Sequence, residues 1–113
     1  MGCIFCQIAA GETPAEILHK DKSVIAIRDI SPQAPVHVLV MPVAHIDSLA
    51  SLGDGEVDLV GHVFEVVNEI ARREGIVATG YRVAVNSGQE GGQVVGHLHF
   101  HLLGGRQLSG QLG

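Results

Sequence analysis

Residues 97–103 read His-Leu-His-Phe-His-Leu-Leu, the most regular pattern in the sequence. Side chains of a β-strand alternate between the two faces of its sheet, so this stretch puts three imidazoles on one face and Leu98, Phe100 and Leu102 on the other. The apolar face is expected to pack against a core. A solvated strand face would gain nothing from histidine that threonine or lysine would not supply, so the imidazoles indicate catalysis or metal binding.

Two kinds of chemistry fit this row of imidazoles. In the first, His-x-His binds a Zn²⁺ ion that keeps an open position for water and hydrolyses a substrate. In the second, one imidazole is a nucleophile, with one ring N–H held by an acceptor such as a backbone carbonyl and the other nitrogen free. A phosphorus centre matches such a nucleophile. The glycine-rich loop at residues 88–93 could then donate backbone N–H groups to phosphate oxygens, although such loops are usually only turns.

The rest of the sequence alternates between strand and helix signals. Apolar residues recur at steps of three and four between Asp54 and Gly75, which predicts a long amphipathic helix capped by Asp54. Near-helical spacing between Cys3 and Ala10 predicts a short N-terminal helix. Strands are predicted at residues 15–19, 23–28, 36–41, 80–86 and 96–103, with an irregular tail from about 104 to 113.

Strands joined mostly by turns, with one long helix inserted, predict an α+β fold in which an antiparallel sheet of about five strands is covered on one face by that helix. The 113 residues suit a single domain over 1–113, and a hydrophobic content of 46% is enough for one core. The strand from Tyr81 to Val85 is apolar enough to pair with a second copy at the sheet edge. We therefore expect a homodimer with a continuous sheet.

Composition limits the partners and the location of the protein. Seven basic residues against twelve acidic ones give a formal net charge of -5, which argues against long nucleic acid as a partner. No apolar run approaches the roughly 18 residues of a membrane helix, and the first residues lack signal-peptide features, so we expect a cytoplasmic protein with no membrane partner. The two cysteines, Cys3 and Cys6, are too close to staple a fold and indicate metal binding or redox chemistry.

The order of motifs resembles the histidine triad (HIT) superfamily, and in particular its HINT branch. The pattern at residues 97–103 is the one that names the superfamily. The resemblance extends over nearly the whole chain, through residues 3–6, 29–35, 37–42, His45, Asn86, 91–93 and 103–106. It implies an α+β homodimer that acts at the α-phosphate of purine nucleotides, typically on nucleoside phosphoramidates in which AMP is joined to an amine.

The resemblance also implies roles for individual residues. His99 would be the nucleophile that takes up the nucleotidyl group, and His101 and His37 would line the phosphate. Asp29 would accept the ribose hydroxyls, although it could equally do no more than cap its own turn. The implied catalytic residues are His37, His97, His99 and His101, and the implied nucleotide-binding residues are Ile27, Asp29, Ile30, Asn86, Gly92, Gln93, Val94, His99 and His101.

Two alternatives to phosphoramidate hydrolysis stay open. The first is hydrolysis of diadenosine polyphosphates, an activity of the same family. The second is a non-catalytic nucleotide-binding or interaction module, which is favoured by Val94 because many HINT proteins have a serine or threonine there. The missing hydroxyl removes a donor that could assist the leaving group, and such assistance is typically worth about 10²–10⁴-fold in rate.

Cys3, Cys6, His45 and His97 satisfy a closed Cys₂His₂ zinc site, and bacterial HIT proteins with this N-terminus resemble that arrangement. Four protein ligands leave no position for water, so the zinc would be structural and catalysis would need no cofactor. The alternatives are a redox pair, which lacks thioredoxin-like surroundings, and two cysteines packed as small hydrophobes. The two histidines not yet mentioned, His19 and His62, are interpreted as surface residues without a role.

Overall fold

The computed structural model describes residues 2–112 and contains two α-helices and five strands within that range. In chain order these are α1 (Ile4–Ala9), β1 (Ile17–Lys20), β2 (Val24–Arg28), β3 (Val36–Pro42), α2 (Val57–Arg73), β4 (Tyr81–Val85) and β5 (Phe100–Gly104). All strand pairs are antiparallel, and the sheet order is β1-β2-β3-β5-β4. The predicted α+β class, with five antiparallel strands and one long helix, is confirmed.

The long helix α2 covers one face of the sheet with the apolar stripe that the sequence predicted. Val63, Val67 and Ile70 are almost completely buried on this stripe and belong to the same core as Val38 and Phe100 of the sheet. Burial of an aliphatic side chain of this size contributes about 1.5–3 kcal/mol. No helix in residues 2–112 is long and apolar enough to cross a membrane.

The second face of the sheet is partly covered by α1. Phe5 and Ile8 of this short helix form a second core with Ile25, Leu39 and Met41. Because both faces are covered, β2 and β3 read as nearly continuous apolar runs rather than as alternating patterns.

The regular part of the last strand begins four residues later than predicted, at Phe100 rather than at residue 96. Before Phe100 the chain bonds to a loop segment rather than to a strand: the Leu98 N–H donates to the Ile46 carbonyl at 2.7 Å. The alternation of faces nevertheless holds, since Leu98 and Phe100 lie in the core with α2 while His97 and His99 contact Phe5 on the other side.

The predicted start of the long helix is also shifted. Asp54 does not cap α2 but opens a 3₁₀ turn, Asp54–Glu56, that leads into the helix. The Glu56 carboxylate accepts the Gly53 N–H at 2.7 Å, so a side chain within the turn satisfies the free N–H. The predicted end is confirmed, because Gly75 follows the helix with a left-handed φ of 73°.

Candidate active site

A cleft of about 590 Å³ opens on the sheet face opposite α2. Its floor is apolar and its far end carries imidazoles, an arrangement suited to a ligand with a flat apolar part and a charged part. Eight of the residues assigned by resemblance line it: Ile27, Asp29, Ile30, Asn86, Gly92, Val94, His99 and His101. Three others, His37, His97 and Gln93, do not line the cleft.

α1 and the segment after it also line this cleft, which the sequence did not predict. Ile4, Phe5 and Ile8 line one side of it, followed by the segment Thr13 to Ala15. The helical spacing of these apolar residues was visible in the sequence, but which sheet face they cover was not.

His99 is held in one tautomer. Its Nδ1 lies 2.7 Å from the carbonyl oxygen of His97, and a carbonyl can only accept, so Nδ1 carries the proton. The Nε2 lone pair is then free at the wall of the cleft. The ring also packs edge-on against Phe5, with the centroids 5.1 Å apart. This is the backbone acceptor that an imidazole nucleophile requires.

A chain of two hydrogen bonds fixes the opposite tautomer in His101. The Gln33 N–H donates to Nδ1 of His37 at 3.1 Å, so the proton of His37 is on Nε2. This Nε2–H donates to Nδ1 of His101 at 3.0 Å. Neutral His101 therefore carries its proton on Nε2. Burial, followed by the charges of neighbouring His99 and His37, lowers the pKa of His101 and favours this neutral form.

His37 lies behind His101 as seen from the cleft. It is only 5% exposed and does not line the cleft, so its expected place beside the phosphate stays a prediction. Its Nε2 is also 3.4 Å from Oδ2 of Asp29, which adds a second acceptor for the same proton. His37 can therefore act on a ligand through His101.

Asp29 caps its own turn, as the simpler interpretation held, because its Oδ1 accepts the Ser31 N–H at 2.8 Å. The carboxylate also lines the cleft. Each carboxylate oxygen can accept more than one hydrogen bond, so the capping bond leaves acceptor capacity for two adjacent hydroxyls.

The glycine-rich loop is built largely by its own hydrogen bonds. The N–H groups of Gly92 and Gln93 donate to carbonyls of Gln89 and Gly88, both at 3.0 Å. A Cβ at Gly91 would lie 2.5 Å from the Ser87 carbonyl oxygen, which explains the glycine. These two N–H groups are therefore committed to the turn and do not serve as phosphate donors in this conformation.

The Gln93 side chain is likewise committed to the loop. Its Oε1 accepts the Gly88 N–H at 2.9 Å, and its Nε2 donates to the carbonyls of Asp47 and Val95 at 2.7 and 3.0 Å. Gln93 joins the loop to the segment after β3 and does not line the cleft, so its expected contact with sugar or phosphate stays a prediction.

A second cluster brings together Cys3, Cys6, His45 and His97, whose ligand atoms all lie within 4.8 Å of one another. Nδ1 of His97 is 3.2 Å from Sγ of Cys3, and Nδ1 of His45 is 3.3 Å from Sγ of Cys6. The four side chains form a group that could hold a metal ion, as the sequence predicted.

The ring nitrogens that face away from the thiols are occupied. Nε2 of His97 donates to the Pro42 carbonyl at 2.8 Å, and Nε2 of His45 donates to Oδ1 of Asp47 at 2.8 Å. Both rings therefore present an unprotonated Nδ1 to the cysteines. Metal-binding histidines are oriented in this way, with the other ring N–H donated to a carboxylate or a backbone carbonyl. Burial lowers the pKa of His97, which favours the neutral ring that a metal needs.

The alternative of a catalytic metal bound by two histidines of the 97–103 stretch has no counterpart among residues 2–112. The metal-binding groups found there take at most one of these three histidines each. His97 belongs with the cysteines, and His101 belongs with His37 and Asp29. The protonated ring nitrogen alternates between Nε2 and Nδ1 along this stretch, so neighbouring imidazoles face different sites.

Comparisons with known proteins agree with this geometry. The HIT domain model matches residues 10–108. The purine nucleoside phosphoramidase of Escherichia coli strain K12 is 42% identical over 109 residues, which cover 96% of this chain and 92% of that protein.

Solved structures show the same fold. A HIT family hydrolase from Legionella pneumophila Philadelphia 1 is 42% identical and superposes with a TM-score of 0.97 over 99% of this chain and 100% of that one. A histidine triad protein from Clostridium difficile is 46% identical, with a TM-score of 0.95 over 99% and 97% of the two chains. The chain therefore belongs to the HIT family.

Proposed function

We propose that this protein is a hydrolase that cleaves the P–N bond of purine nucleoside phosphoramidates through a covalent nucleotidyl-His99 intermediate. The observation that carries the proposal is the 2.7 Å bond from His99 Nδ1 to the His97 carbonyl, which leaves the Nε2 lone pair at the cleft. The name of the Escherichia coli relative, purine nucleoside phosphoramidase, supports the substrate class.

In the first step, the Nε2 lone pair of His99 attacks the α-phosphorus of the substrate. A bond forms between Nε2 and phosphorus as the P–N bond to the leaving amine breaks. The leaving nitrogen takes a proton from solvent and departs as the neutral amine, while the Nε2–H of His101, whose tautomer is set by His37, donates a hydrogen bond to a phosphate oxygen. The two rings are close enough to act on one phosphate, with centroids 5.1 Å apart.

In the second step, water attacks the phosphorus of the nucleotidyl-His99 intermediate. A P–O bond forms as the bond between phosphorus and Nε2 breaks, and the proton of the water is released to solvent. The nucleoside monophosphate leaves, and His99 returns to its starting tautomer. His101 keeps its Nε2 proton in both steps and donates it as a hydrogen bond to the phosphate, where negative charge develops.

The cleft supplies groups for each part of the nucleotide. Ile27 and Ile30 would flank the base, Asp29 would accept from the ribose hydroxyls, and Asn86 would contact the sugar and phosphate. Ile30 is 95% exposed and Val94 92% exposed. Such exposure of large apolar side chains at the mouth of a cleft suits contact with a planar base.

Cys3, Cys6, His45 and His97 fit a structural zinc ion, because two thiols and two neutral imidazoles are the donors that zinc prefers. Burial, together with neighbouring Cys3, raises the pKa of the Cys6 thiol, which favours the neutral thiol without metal, so zinc would displace the thiol proton as it binds. When bound, zinc supplies cross-linking rather than chemistry. It would tie α1, which lines the cleft, to the segment carrying His99.

We also propose that the protein forms a homodimer and acts in the cytoplasm. β4 is an edge strand, and its five residues are all half-buried. Pairing of this edge with a second copy would cover its free backbone groups and extend the sheet.

The non-catalytic module remains a second candidate because Val94 offers no hydroxyl at the mouth of the cleft. It differs from the leading proposal in one respect: it binds nucleotide without forming a covalent intermediate.

Native mass spectrometry after brief mixing with an AMP-amine phosphoramidate separates the two candidates. We expect the wild type to show a transient covalent adduct with the mass of AMP less one water and to release AMP, and His99→Ala to show neither while it still binds AMP noncovalently. Bound AMP with no release from either protein would favour the module. Faster turnover of diadenosine polyphosphate than of phosphoramidate would replace the substrate class but keep the mechanism.

A further inference from the structure

We propose that His19, Asp21 and His62 form a second metal site, which binds a divalent transition-metal ion such as Zn²⁺ between the β1–β2 hairpin and α2. The inference does not depend on the proposed function. It concerns the two histidines that the sequence analysis left without a role, and the structure brings them together from positions 43 residues apart in the chain.

The two imidazoles converge on a single oxygen atom. Nε2 of His19 and Nε2 of His62 each lie 2.7 Å from Oδ2 of Asp21. The three ligand atoms lie within 4.8 Å of one another. Zinc binds histidine nitrogen and carboxylate oxygen at about 2.0–2.2 Å. If the two ring nitrogens moved away from Oδ2 by less than the length of one bond, the ion could take the place of the two ring protons.

Asp21 is held in place by its other oxygen. Oδ1 accepts the backbone N–H groups of Ser23 and Val24 at 2.8 and 2.9 Å, which closes the hairpin turn. Oδ2 is therefore aimed at the histidines independently of any bond to them. The carboxylate is preorganised as a ligand.

His62 has the outer partner that metal-binding histidines have. Its Nδ1 lies 3.0 Å from Oε1 of Glu65, one turn further along α2. A carboxylate at this position fixes the ring and makes the opposite nitrogen a better donor. The same relation holds in the cysteine cluster between His45 and Asp47.

A β-bulge brings His19 to the cluster. The register of β1 against β2 shifts between Ile17, opposite Ile27, and His19, opposite Ala26. Leu18 packs into the core on the α2 side, and a regular strand would turn His19 to the other face. The bulge turns both residues toward α2, and bulges that re-aim a side chain are a recurrent feature of functional sites.

The donor set and the exposure define the metal class. Two imidazoles and one carboxylate favour Zn²⁺, Ni²⁺ or Cu²⁺ over Ca²⁺ or Mg²⁺. The side chains of His19, Asp21 and His62 are 27%, 33% and 35% exposed, so water can complete the coordination. The site lies on the α2 side of the sheet, whereas the cysteine cluster lies with α1 on the other side.

The test is calorimetric titration of chelator-treated full-length protein with Zn²⁺. We expect His19→Gln and His62→Gln each to bind one fewer ion per chain than the wild type, or to bind that ion at least about 10-fold more weakly. Glu65→Gln should keep the stoichiometry and weaken the same ion by about 10-fold, as outer-partner substitutions do.

Glu69→Gln is the matched control, since it removes the same charge from the next turn of α2, where the Glu69 carboxylate pairs with Arg72 and Arg73. It should bind zinc as the wild type does. Circular dichroism verifies folding, and if one histidine variant does not fold the other decides. Wild-type stoichiometry and affinity in a folded histidine variant would overturn the proposal.

Discussion

His97 and His99 are two residues apart on the same side of the chain, yet they belong to different regions of the molecule. His97 donates from Nε2 to Pro42 and presents Nδ1 to two thiols. His99 donates from Nδ1 to His97 and presents Nε2 to the cleft. The acceptor on one ring nitrogen decides what the other nitrogen can do, so these two histidines present opposite ring nitrogens, one to the thiols and the other to the cleft.

The two regions also differ in what surrounds them. His97 is completely buried and joins α1 to the rest of the protein, whereas His99 forms part of a cleft wall. We therefore expect changes in the cysteine cluster to act mainly on stability and changes in the cleft to act mainly on turnover.

His97→Ala should have the largest effect on stability. It leaves the Pro42 carbonyl without its donor, opens a cavity and separates α1 from its partners, which together should lower the free energy of unfolding by about 3 kcal/mol. Urea denaturation of wild type, His97→Ala and His99→Ala measures the difference. The His99 variant should lose about 1 kcal/mol, because water can enter its cavity from the cleft, and equal losses in both variants would contradict the division.

His37→Ala tests the cleft through a residue that does not line it. Without the His37 donor, His101 can exchange its proton between the two ring nitrogens, and the Nε2–H that donates to the phosphate is lost for part of the time. We expect turnover of an AMP-amine phosphoramidate to fall by about 10²-fold, the loss typical of removing one such donor.

A pH profile shifted to higher pH would accompany this loss in His37→Ala, because burial and His99 would still lower the pKa of His101 but the smaller effect of His37 would be gone. His37→Gln can still donate to His101 and should restore part of the rate. Wild-type turnover and pH profile in His37→Ala would exclude the relay.

The smallest effect is expected from an ion pair that includes none of the cleft histidines and none of the cysteine cluster. Arg28 donates to both carboxylate oxygens of Glu74 at 2.9 Å, joining the end of β2 to the end of α2. This hydrogen bonding lowers the pKa of Glu74 below its ordinary value of 4.5. A lowered carboxyl pKa adds stability above the unfolded-state pKa, and this stability is lost as the pH falls through the folded-state value.

Glu74→Gln should therefore cost about 1 kcal/mol at pH 7, the upper end for a partly exposed pair. The difference from the wild type should shrink toward zero as the pH falls below 4.5, as measured by urea denaturation across that range. A difference in the free energy of unfolding that does not change with pH would count against the ion pair. Phosphoramidate turnover at pH 7 measures any effect of the substitution on the cleft.

The local features of the fold and the site could be predicted from the sequence. Strand alternation placed the three histidines of residues 97–103 on one face, and the apolar stripe of α2 placed the helix against the other. The late start of β5 was not visible, because it depends on the pairing of residue 98 with Ile46 rather than with a strand.

The long-range part could not be predicted from pattern alone. The position of His37 behind His101 depends on sheet register, and the engagement of Gln93 depends on carbonyls that a distant segment supplies. The meeting of His19 with His62 needs both a bulge in β1 and the packing of α2. Such contacts join segments whose separate patterns are those of ordinary surface residues.

The most direct test of the comparison is the protonation of the imidazole nitrogens, measured by long-range ¹H–¹⁵N NMR on the wild-type protein at neutral pH. We predict a proton on Nδ1 and none on Nε2 of His99. In His97 and His101 the proton should be on Nε2 and not on Nδ1. A proton on Nε2 of His99 would leave it without a lone pair to attack phosphorus, and would contradict the central claim.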